Sequence, residues 1–106
     1  AIGVDMNQDG DQPGHILTSM LKENGTAVYE IIKAAQNGTF EGGTYMYLDL
    51  AYGGVDTTDM STIKSTLSEE NAALLDELLA EIADLKQQIA SGELVVSNYE
   101  GFGPQA

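Results

Sequence analysis

The chain has 106 residues, with seventeen acidic side chains against four basic ones, a formal net charge of −13 at pH 7 and no cysteine. That charge repels phosphate backbones and anionic lipid, which argues against nucleic acid as a partner, and the missing thiols exclude disulfides, thiolate metal sites and cysteine nucleophiles. Hydrophobic residues, at 42%, suffice for one small domain or part of one, while no apolar run approaches the roughly 18 residues of a membrane-spanning helix.

The first element is a short apolar run over residues 1–4, ended by Asp5, and it predicts a buried strand. The chain starts inside this run with no leader before it, which suggests a piece of a larger protein. Residues 5–15 form a polar loop with Gly10, Pro13 and Gly14. Residues 16–22 predict a second strand ending in Lys22, because Asn24-Gly25 interrupts any helix running on from it. Asn24 is then placed to cap a helix whose apolar positions are Ala27, Val28, Ile31, Ile32 and Ala35. Asn37-Gly38 ends it, with Gly38 suited to a left-handed terminal position.

Residues 44–50 alternate around Tyr45, Tyr47 and Asp49, which predicts a strand. Gly53-Gly54 turns the chain, and residues 55–60 are loop or a short strand. Ser68 opens the clearest helix, with Glu69 and Glu70 in its first turn where the helix dipole favours acids. Leu74, Leu75, Leu78, Leu79, Ile82, Leu85 and Ile89 make one apolar stripe that predicts a core face, and Gly92 stops the helix. Residues 93–99 predict a last short strand, and 100–106 a loose tail. The order β-β-α-β-(β)-α-β indicates an α/β layer structure. Two helices cover such a sheet thinly, whereas a parallel sheet is normally protected on both faces, which again suggests absent chain.

Asp5 and Lys22 each stand at the carboxyl end of a predicted strand, where open α/β sheets bind their ligands. Taken alone, each is more commonly a solvated strand-end charge. Residues 5–11 also match the opening of a calcium loop, with Asp5, Asn7, Asp9 and Asp11 as ligands. An EF-hand would need a bidentate Glu at loop position 12, and Ile16 stands there; Pro13 holds position 9. A small calcium-stabilised binding module is therefore the weaker alternative. Asn24-Gly25-Thr26 and Asn37-Gly38-Thr39 match the glycosylation sequon, but Asn-Gly at these places more commonly just serves helix ends. His15, the single histidine, has no partner arrangement. Nothing resembles a serine elbow or a phosphate-cradling loop, and no motif pairs the carboxylates, so catalysis has little support.

The segments GVDMNQ (3–8), PGHILTSMLK (13–22), GTFEGG (38–43), YGGV (52–55) and IASGELVV (89–96) occur in an order and spacing that resembles the C-terminal portion of the basic membrane protein family, the PnrA-like nucleoside-binding lipoproteins of ABC transporters. The resemblance implies an α/β lobe of a type I periplasmic-binding-protein fold, a mostly parallel sheet flanked by helices. Residues 1–99 would be part of the C-terminal lobe, and 100–106 a tail. It implies a purine nucleoside held in a cleft between two lobes, an extracytoplasmic and often lipid-anchored location, an ABC transporter permease as partner, no cofactor and no catalysis. The missing N-terminal lobe would complete the cleft.

Asp5 matches the family aspartate that accepts hydrogen bonds from ribose hydroxyls. Lys22 matches the lysine that donates to the sugar, and Gly3, beside Asp5, permits close backbone approach. Asn7 departs from the family, whose members usually carry a second acid there. A further alternative is a fragment without activity of its own that associates with itself or with the missing lobe through an exposed sheet edge and uncovered helix faces.

Overall fold

A computed structural model of the chain describes residues 1–97. Its elements are β1 (Ile2–Asp5), β2 (Thr18–Lys22), α1 (Asn24–Gln36), β3 (Val55–Thr57), α2 (Ser61–Lys64) and α3 (Glu69–Ser91). The sheet has the order β1-β2-β3, so β2 is the central strand. β1 and β2 run parallel, with Gly3 opposite Ser19 and Asp5 opposite Leu21. β3 is antiparallel to β2, with Leu21 opposite Asp56 and Lys22 opposite Val55. The α/β class expected from the sequence is present, with a small mixed sheet in place of a mostly parallel one. The reason lies in the connections. Residues 6–17 loop from β1 back to the start of β2, and the long excursion through α1 brings β3 in from the opposite direction.

α3 follows the sequence pattern closely. The Ser68 hydroxyl accepts the amide of Asn71 at 3.3 Å, and Gly92 closes the helix at φ +80°. Leu75 is buried with Met60 and Ile63, and Leu67, Leu79 and Ile82 pack against that cluster. The rest of the stripe differs from expectation, because Leu74, Leu78 and Leu85 remain about half exposed. Only one edge of the stripe meets the α2 segment; the other faces outward.

α1 begins one residue earlier than expected. Asn24 is its first helical residue and Glu23 its cap, with no side-chain cap bond. The Glu23 amide instead donates to the carbonyl of Gly54 at 2.9 Å, which ties the helix start to the turn before β3. Gly38 takes the left-handed conformation expected of it, at φ +69°. No residue of α1 is buried.

Two expected strands are corrected. Residues 44–50 form no strand, and Tyr45 and Tyr47 are exposed. The Asp49 carboxylate accepts from the amides of Ala51 and Tyr52, so a local turn competes with the extended ladder that alternation alone suggests. Residues 93–97 are likewise not a strand, since the Leu94 amide wraps back onto the Gln88 carbonyl at 3.0 Å. Residues 98–99 of that expected strand and the tail 100–106 lie outside the described residues.

Within 55–60 the short strand forms. The turn α2 beyond it was not expected from periodicity. Met60, at φ +60°, starts α2, and the Asp59 carboxylate accepts the Ser61 amide at 2.9 Å. That amide holds the Asp59 carboxyl below its ordinary value. No helix among the described residues is long and apolar enough to cross a membrane.

Candidate ligand-binding site

Parallel pairing places the carboxyl ends of β1 and β2 side by side, and so brings together the two charges singled out from the sequence. Lys22 Nζ lies 2.6 Å from Asp5 Oδ1. Both side chains are more than half exposed, so this is a surface ion pair rather than a buried bridge. In water such a pair contributes little stability, about 0–1 kcal/mol, which leaves it available for a ligand. Asp5 has a backbone φ of +76°, in the left-handed region that non-glycine residues seldom occupy. Surrounding contacts must hold it there.

Those contacts lie beneath the pair, in the 6–17 loop and β2. The Val4 amide donates to the Gln8 side-chain oxygen at 2.8 Å, and the Gln8 amide donates to Ser19 Oγ at 3.0 Å. Ser19 Oγ in turn donates to Asp9 Oδ1 at 2.5 Å. Ser19 and Asp9 are among the most deeply buried side chains described, 0% and 2% exposed. On the other side of β2, the Ser19 amide donates to Thr58 Oγ1 at 3.0 Å, and the Thr18 and Thr58 hydroxyls pair at 2.9 Å. A continuous polar network thus runs from the loop through the central strand to the segment after β3.

Gly3 is buried in the same place. A side chain there would collide with Ser19 Oγ and Gln8 Oε1, so the close approach that glycine permits is to these two groups. Ser19, Asp9 and Thr58 were not recognised as structural partners from sequence. A Thr-Ser pair inside an otherwise apolar strand was the available signal, because buried hydroxyls need a partner.

The calcium alternative has no support. Asp9 turns inward to Ser19, Asn7 Oδ1 accepts the Asp9 amide at 3.0 Å, and Asp5 faces Lys22. Among the described residues no three acidic or histidine side chains are grouped to hold a metal ion. His15 is exposed, and its carbonyl accepts from the Ala1 amino group at 2.6 Å.

At the far side of the sheet, Lys86 of α3 meets Asp56 of β3 at 2.5 Å. This hydrogen bond, helped by the Thr57 amide and opposed by partial burial, holds the Asp56 carboxyl below its ordinary value. A separate groove of about 500 Å³ lies between α1 and residues 39–46, lined by Ile31, Ala34, Phe40, Tyr45 and Met46 among others. Neither Asp5 nor Lys22 borders it.

Residues 1–100 match the sequence family described as "Bmp: ABC transporter substrate-binding protein PnrA-like". The chain is 33% identical over 104 residues to the ABC transporter nucleoside-binding protein BmpA of Lactococcus lactis, covering 90% of this chain and 26% of that protein. It is 27% identical over 100 residues to Basic membrane protein C of Borreliella burgdorferi, covering 93% and 26%. In structure it is similar to an ABC transporter system solute-binding protein from Aeropyrum pernix K1, with a TM-score of 0.56 and 27% identity, over 95% of this chain and 33% of that one. The chain therefore spans about a quarter of the length of the curated relatives it matches.

Proposed function

Because the chain belongs to the PnrA-like family of ABC transporter substrate-binding proteins, we propose that it forms one wall of a cleft that binds a purine nucleoside outside the cytoplasmic membrane. The observation that carries this is the Asp5–Lys22 pair at adjacent strand ends, 2.6 Å apart and open to solvent. A carboxylate offers two acceptor oxygens and an ammonium three donors, which together suit the two hydroxyls of a ribose diol. Asp5 accepts from those hydroxyls and Lys22 donates to the sugar oxygens. Gly3, buried two residues before Asp5, leaves room for the Ser19 and Gln8 side chains that pack against the strand.

The net charge of −13 disfavours a phosphorylated ligand and leaves the uncharged nucleoside as the better match. The Lactococcus lactis relative is named as nucleoside-binding, which supports the same ligand class.

In this account residues 1–99 are part of the C-terminal lobe, and the second wall of the cleft comes from the N-terminal lobe. Closure of the two lobes on the nucleoside creates the form that an ABC transporter permease recognises. No bond is made or broken, and the parent protein is tethered at the cell surface or retained in the periplasm.

Replacing Asp5 by Ala in the full-length protein should weaken nucleoside binding by about 1.5–3 kcal/mol, the range for hydrogen bonds to a charged group. Isothermal titration with adenosine measures it, and an unchanged dissociation constant would overturn the assignment.

A further inference from the structure

We propose that Asp9 is a positioning residue for this cleft: its buried carboxylate, held by Ser19, fixes the loop that sets Asp5 in its left-handed conformation beside Lys22. The inference rests on the nucleoside-binding reading of Asp5 and Lys22 and adds a residue that touches no ligand. Asp9 is 2% exposed, so its carboxylate is an internal group. A carboxylate buried this far is costly unless it is hydrogen-bonded, and the Ser19 hydroxyl supplies a bond at 2.5 Å.

The geometry gives that bond leverage on the site. Ser19 stands opposite Gly3 in the β1–β2 register, two residues before Asp5. The chain therefore leaves β1 at Asp5, reverses through Met6, Asn7 and Gln8, and returns to touch β2 beneath its own starting strand. The reversal is closed at two points. Gln8 bridges the Val4 amide and Ser19 Oγ, and Asp9 accepts from the same Ser19 hydroxyl. Asn7 stiffens the step between them by accepting the Asp9 amide.

With both closures made, Asp5 has no extended alternative and its φ of +76° is imposed. With the Asp9 closure lost, only the Gln8 clasp remains, and Asp5 relaxes toward ordinary backbone away from Lys22. Serine suits position 19 for the same reason that glycine suits position 3. Its single hydroxyl accepts from Gln8 while donating to Asp9, and a larger neighbour at Gly3 would drive it aside.

The test uses the full-length protein, with adenosine as the probe and amide proton–nitrogen spectra of the unliganded protein as a second readout. Asp9→Ala should weaken adenosine binding by about tenfold, the factor for one strong hydrogen bond, and should shift the Asp5 and Val4 amide resonances. Asp9→Asn, which keeps an acceptor for Ser19, should restore both. In an Asp5→Ala background, Asp9→Ala should cost no further affinity, because Asp9 acts through Asp5.

The proposal is overturned if Asp9→Ala leaves the Asp5 and Val4 resonances in place. It is equally overturned if the variant loses affinity by the same factor with and without Asp5. Should Asp9→Ala not fold, Asp9→Leu fills the space with neither a charge nor an acceptor while keeping the Gln8–Ser19 bond, and the same resonances decide. If the parent binds no adenosine, the nucleoside reading fails by itself, while the spectra still settle whether Asp9 positions Asp5.

Discussion

The two ends of this molecule are buried by opposite chemistries. At the sheet end the buried side chains with polar groups are Asp9, Thr18, Ser19 and Thr58, joined by directional hydrogen bonds. At the helical end the buried side chains are Met60, Ile63 and Leu75, which touch through dispersion and exclusion of water. Apolar burial is proportional to area and indifferent to direction, so it stabilises without specifying position closely. A hydrogen bond weakens steeply when its geometry is disturbed. The end that carries Asp5 and Lys22 is thus held by the contacts that fix position, and the end that carries no candidate site by the contacts that supply stability.

The helices also leave much apolar surface without cover. Val28, Ile31, Ile32, Leu74, Leu78 and Leu85 are each about half exposed, and the Cα radius of gyration is 17.3 Å. A compact chain of this length would measure about 13 Å.

The comparison is broken most directly by Leu75→Ala. It should cost about 2–3 kcal/mol of stability, toward the low end for a buried leucine because the cluster is small and collapses readily. Denaturant unfolding measures this, and the folded variant should keep the Asp5 amide resonance unchanged. A moved resonance would mean that the two ends are not separable.

A smaller effect sharpens the same contrast. Ser68→Ala removes the cap bond to the Asn71 amide and should cost about 1 kcal/mol, again without moving Asp5.

The smallest effect concerns the tie between the ends, Lys86 to Asp56. Asp56→Asn should cost about 1 kcal/mol or less, since the pair is partly exposed to solvent. Its pH dependence has a definite sign. The folded carboxyl titrates below its ordinary value, so the contribution is fully present once pH is above the ordinary carboxylate range and is lost as pH falls through the folded pKa. Acid unfolding followed between pH 5 and pH 2 should show this component in the parent and not in the variant.

These contrasts also explain what the sequence made legible. α3 was visible from Ser68, the leucine spacing and Gly92, because helix periodicity and capping are local properties. Asp5 and Lys22 were visible as charges ending apolar runs, and parallel pairing supplied the 2.6 Å contact. The Asp9–Ser19–Thr58 network was not visible, because its members are ten and thirty-nine residues apart and hydrogen bonding leaves no period. In the 5–11 loop, composition suggested calcium, while the geometry turns Asp9 inward to a hydroxyl. The alternation over 44–50 misled because Asp49 makes a turn with its own neighbours.

The most direct test of the central claim is a paired titration of the full-length protein and its Asp5→Ala variant with adenosine and with 2′,3′-dideoxyadenosine. If Asp5 reads the ribose diol, the parent prefers adenosine by about tenfold or more, and the variant binds the two nucleosides nearly equally. The same preference in both proteins, or none in the parent, would contradict the account.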